Sequence, residues 1–80
     1  MPRSLRSFSI HLMLDGGHEQ VVEFRSLDDF QAWYGGVLAP ADSEAFVSVP
    51  LGGLESEYLV VRAGSVVGIR VEPVFGASQD

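Results

Sequence analysis

The chain has 80 residues, enough for one domain with one modest core and no room for a second. Its composition, 46% hydrophobic and 20% charged, excludes disorder for the body of the chain. Five cations against eleven acidic residues leave a net charge of -6, which argues against nucleic acid as a partner, because a phosphate-binding face needs clustered cations.

The missing residue types exclude more. Cysteine is absent, and with it disulfides, thiol catalysis and thiolate metal sites. Lys, Asn and Thr are absent as well, so every cation is arginine and no amine exists for Schiff-base chemistry. These three share A-rich codons, which points to a GC-rich genome and a bacterial cytoplasmic setting. No apolar run approaches the ~20 residues of a membrane-spanning helix. Residues 1–6 lead into no signal-like segment. Neither a membrane nor a cofactor is expected.

Residues 7–14 alternate. Phe8, Ile10, Leu12 and Leu14 point one way, and Ser7, Ser9, His11 and Met13 the other, as in a half-buried strand. Asp15-Gly16-Gly17-His18 supplies turn chemistry, and a second strand is predicted over residues 19–25. A two-residue loop would mix apolar and charged groups on one face. A three-residue loop, Gly16-Gly17-His18, pairs Ile10 with Phe24 and Leu12 with Val22, and is the register expected. It sets His11 opposite Glu23, and has one weak point in the like charges of Asp15 and Glu19.

Residues 26–38 carry the single predicted helix. Ser26 is the expected N-cap, with Asp28 and Asp29 in the first turn where the helix dipole favours anions. Leu27, Phe30, Tyr34, Val37 and Leu38 recur at helical spacing, with Trp33 beside them. Gly35-Gly36 weakens the last turn, so the regular helix is expected to stop near Tyr34, and Pro40 bars continuation. Leu12, Val22, Phe24, Phe30 and Tyr34 form the expected core.

Strands are predicted over residues 45–51, 57–62 and 66–71, with a loop over residues 52–56. A tight turn at Ala63-Gly64 joins the last two as a hairpin whose register the sequence leaves open. The domain spans residues 1–80, with 1–6 and 76–80 expected as flexible tails. The order β-β-α-β-β-β indicates an α+β fold: a single sheet of about five strands with one helix packed on one face. This is similar to the ubiquitin-like β-grasp in the order and length of elements, a resemblance that implies fold and nothing about activity.

Few residues suggest chemistry. Asp15, His18 and Glu19 carry metal-ligand groups, but no third or fourth ligand is spaced to complete a site, and a solvated hairpin tip is the plainer reading. His11, opposite Glu23, has the partner that a general base or pH sensor needs, but no nucleophile completes a catalytic set. Trp33 is expected in the core or at its rim, and becomes an anchor for a partner if exposed. None of the glycine pairs precedes a helix in a phosphate-loop pattern, so nucleotide binding has no support.

The function expected is therefore non-catalytic: a small interaction domain that binds another protein or itself through the outer face or edge of its sheet. His11, Met13, Val21, Glu23 and Trp33 are the candidate binding residues. The expected apolar surface combines Met13 and Val21 with the outward valines of the C-terminal strands. The rival reading is a small-ligand-binding or enzymatic protein using a sheet-face site at His11 and Glu23.

Overall fold

The computed structural model describes residues 3–51 and 57–77. The loop expected over 52–56 and the tail residues 1–2 and 78–80 lie outside the described residues. The fold is α+β, and the described residues form five strands and one helix in the expected order: β1 (Arg3–Leu14), β2 (His18–Phe24), α1 (Leu27–Trp33), β3 (Phe46–Pro50), β4 (Tyr58–Arg62) and β5 (Val66–Ala77).

The strands divide between two antiparallel sheets, which corrects the expectation of one. The first has the order β2-β1-β5, and the second pairs β3 with β4. The expected β4–β5 hairpin is absent because β4 finds its partner upstream. The ladder from Phe46↔Arg62 to Pro50↔Tyr58 is extended past its end, where Ala63 N donates to Ala45 O and Gly64 N to Ser43 O, both at 2.8 Å. The turn Ala63–Ser65 then carries the chain from one sheet to the other. Glycine is required there, since a Cβ on residue 64 would stand 2.8 Å from the Ser43 carbonyl oxygen.

The hairpin register is shifted from the expected one by two residues. Ile10 faces Val22, His11 faces Val21 and Leu12 faces Gln20. A shift of two preserves every residue's face, so the burial argument holds while the pairing it selected does not. The turn is Asp15–Gly17, in which Gly16 and Gly17 take φ of +80° and +83°, the left-handed region that favours glycine. This register also removes the like-charge pair. Glu19 now faces Met13, and Asp15 reaches Arg62 Nη2 at 3.5 Å.

Two further bounds are corrected. β1 begins at Arg3 rather than near residue 7, and β5 runs on to Ala77: Arg3 pairs with Ala77, Ser4 with Gly76 and Leu5 with Phe75. Each end supplies the ladder partner the other lacks. β5 runs through Pro73, which faces Phe8, and an edge strand can carry a proline whose nitrogen turns to the free side.

α1 begins as expected. Ser26 Oγ accepts from Asp29 N at 3.0 Å. Regular α-helix ends at Trp33, and a wider π-helical turn, Tyr34–Leu38, passes through the two glycines, with Ala39 N donating to Tyr34 O at 2.8 Å. Leu38 is thereby carried back into the core.

The buried core is Ile10, Leu12, Val22, Phe24, Phe30, Trp33, Leu38, Val47 and Val49. Trp33 rather than Tyr34 occupies the inner position: Trp33 is 7% exposed and Tyr34 44%. The reason lies in β3, where the Ser48 carbonyl accepts the indole Nε1–H at 2.8 Å, drawing Trp33 against Val47 and Val49. Tyr34 keeps only a tilted ring contact with Phe30, at 6.1 Å between centroids.

Two stability outcomes follow. Phe30→Ala costs about 3–5 kcal/mol, most of the stability of so small a domain, whereas Tyr34→Ala costs about 1 kcal/mol; chemical denaturation of both variants compares them. Gly64→Ala costs about 1–3 kcal/mol through the Ser43 clash alone, and an unchanged denaturation midpoint would show that contact to be tolerant.

Candidate functional site

Alternation along β1 and its two neighbours determines the outer face of the first sheet. Ser9, His11 and Met13 lie there with Glu19, Val21 and Glu23 of β2 and with Gly68, Arg70 and Glu72 of β5. This face is charged rather than apolar. Met13 and Val21 are exposed on it among these charges. The outward valines do not join them. Val60 stands on the outer side of the second sheet opposite Ser48, Val67 lies beside the bulge next to Leu14, and Val71 faces inward opposite Ile10. Trp33 is in the core and presents no surface.

The expected His11–Glu23 pair does not form, because the two-residue shift places Glu23 opposite Ser9. His11 instead joins three strands. Its Nδ1 meets Glu19 Oε2 at 2.7 Å, and its Nε2 meets Glu72 Oε1 at 2.9 Å. Both are diagonal neighbours, two residues along from the positions directly opposite, Val21 and Arg70. A carboxylate only accepts, so both contacts are satisfied together when both ring nitrogens carry a proton, which favours the imidazolium form. The Glu72 bond, then the Glu19 bond, raise the His11 pKa above its ordinary 6.5, and burial and Arg70 oppose them without prevailing. The bond to His11, reinforced by Arg70, lowers the Glu72 pKa below its ordinary 4.5.

This arrangement ties strands together more readily than it performs catalysis. A general base needs an imidazole nitrogen with a free lone pair, and both nitrogens here face carboxylates. At the hairpin tip, Asp15 is directed to Arg62 and Glu19 to His11. Among the described residues no group of three His, Asp or Glu side chains could hold a metal ion. Glu72 escaped sequence reasoning because the last strand is expected to end at Val71, one residue before it, whereas β5 continues to Ala77. Its one signal was the Arg70-Val71-Glu72 pattern, with opposite charges on one face of a strand.

The apolar surface lies on the inner side, at the β5 edge. α1 and the π-helical turn cover the β2–β1 side of the sheet and leave a groove of about 600 Å³, lined by Phe30, Tyr34, Leu38, Val66, Ile69 and Val71 among others. Among the described residues β5 pairs with one strand, β1, and is an edge of its sheet. Edge and groove therefore adjoin. None of these lining residues is among the candidate binding residues, and the valines of the C-terminal strands enter the expected apolar surface only as an outward set.

No protein-family model, curated protein or solved structure matches this chain. Among the described residues no helix is long and apolar enough to cross a membrane.

The linkage of His11 to folding has a defined sign. A raised His pKa contributes stability that is fully present below pH 6.5 and is lost as pH rises through the folded-state value; a lowered Glu72 pKa contributes stability present above 4.5 and lost as pH falls through its own folded value. The two overlap between those limits. Thermal melts across pH 5.5 to 9 (roughly the range of His titration) are expected to show the wild type losing stability on the alkaline side. His11→Gln should show no such step, and parallel profiles would remove His11 from the account.

Proposed function

We propose that this chain is a non-catalytic binding domain that takes up another protein, or itself, through the edge of β5 and the groove beside it. The observation that carries the reading is their adjacency. An open strand edge offers main-chain hydrogen bonds to an added strand, and a neighbouring apolar groove accepts its alternate side chains. Of the two surfaces expected, outer face or edge, the edge is the one supported. The outer face is too charged to be the apolar contact, since Glu19, Glu23, Arg70 and Glu72 surround Met13 and Val21. The alternative of a sheet-face site at His11 and Glu23 loses support, because those two residues are not partners.

The reading is tested by panning a display library of random ten-residue segments on the immobilised full chain. Binders are expected to alternate apolar with polar residues, to slow hydrogen exchange in residues 66–73, and to lose affinity for Val71→Lys. Recovery of no binder by a chain that is also monomeric, or protection confined to the His11 face, would overturn it.

A further inference from the structure

We propose that the occupant of the β5 edge is a second copy of this chain, paired antiparallel through β5 with the two-fold axis at Val71. The inference rests on the reading of that edge as a binding surface and adds the identity of the partner.

The argument is charge complementarity. The central residues of β5 read Ile69-Arg70-Val71-Glu72-Pro73. An antiparallel self-pair about Val71 sets the residue just before Val71 against the residue just after it in the other copy. Arg70 therefore meets the other copy's Glu72, twice by symmetry. The remaining centres in this run lack that property. Centring on Arg70 or Glu72 opposes like charges, and centring on Ile69 or Pro73 opposes neither residue to an opposite charge.

The side chains are placed for the contact. Arg70 is well exposed, with Nη2 3.9 Å from Glu72 Oε2 of its own strand. Glu72 Oε1 accepts from His11, and its Oε2 has only the long 3.9 Å contact with its own Arg70, which an incoming guanidinium can replace. His11 thus holds the acceptor in position.

Backbone geometry agrees. With the Pro73 nitrogen on the free side, antiparallel alternation turns the N–H and C=O of Val71 and Ile69 the same way. A central Val71–Val71 pair can then exchange both hydrogen bonds. The two-fold axis, normal to the continuous six-stranded sheet, keeps both helices on one face. The two grooves merge over the seam, with Tyr34 of each copy on its wall.

The test uses the absence of native cysteine. Directly paired strand residues have Cα atoms about 5.5 Å apart, within the range of a disulfide. Val71→Cys is therefore expected to form a covalent dimer on mild oxidation at tens of micromolar. Val67→Cys is the control. Val67 is more exposed than Val71, but this register places it about 27 Å from its mate. It should form no covalent dimer on the same oxidation.

By light scattering the wild type should be a dimer, and Arg70→Glu and Glu72→Arg should each be monomers. A mixture of the two variants should recover a heterodimer, since both contacts become complementary again. Should Glu72→Arg fail to fold without its bond to His11, Arg70→Glu leaves that bond intact and must still be monomeric. Cross-linking of Val67→Cys as readily as Val71→Cys, or a dimeric Arg70→Glu, would overturn the register. A monomeric wild type that still binds the selected segments along β5 would overturn self-pairing and leave the binding surface standing. Loss of both would end both.

Discussion

Ile10 and Leu12 have no solvent exposure, and the rest of the molecule is arranged around that fact. Burying one aliphatic side chain fully yields about 1.5–3 kcal/mol, so in so small a domain two neighbours on one strand matter. β1 achieves it by lying between β2 and β5 with α1 over its inner side. The same period that sends Ile10 and Leu12 inward sends His11 outward between two flanking strands. A central strand has diagonal neighbours on both sides, and here both are glutamates. Core and outer face are thus two consequences of one alternation.

How much of this was legible depended on the range of the interaction concerned. The β1 alternation, the Ser26 cap and the weakening of the helix at Gly35-Gly36 are local, and the structure has all three. Register parity was legible from burial. The choice between registers two residues apart was not, because both bury the same side chains; turn backbone and the Asp15–Glu19 repulsion decided it. Helical spacing placed Trp33 and Tyr34 near the core but left the rotation of the helix open. The Ser48 carbonyl on β3 settles that rotation, and no periodicity of the helix alone could reveal it.

The C-terminal half was harder for a physical reason. β4 and β5 carry valines on both faces, so alternation assigns them no inner side. One helix cannot cover both faces of a five-stranded sheet, which suggested an apolar outer surface. The protein solves the problem by splitting the sheet. Val47 and Val49 of β3 turn into the core with Val61 and Leu59 of β4 packed against it, and the outer face of the first sheet stays charged. The split depends on Gly64, whose lack of a side chain lets β4 approach Ser43 and leave for β3.

Splitting the sheet also leaves β5 as an edge, and the edge is protected unevenly. Pro73 withdraws one donor, and register shifts lie between Leu5 and Ser7 and between Met13 and Leu14 of the facing strand, devices that discourage strand addition. Between those points Gly68–Glu72 carries neither proline nor bulge. Within that stretch the backbone groups of Ile69 and Val71 turn to the free side, and their side chains turn to the groove. Side-chain direction and hydrogen-bond direction share one period in a strand, so this coincidence is a geometric necessity. Any segment that satisfies the edge must therefore lay its own alternate side chains over the groove. Edge and groove form one continuous surface, and the charged Arg70 and Glu72 stand beside it on the opposite face of the strand.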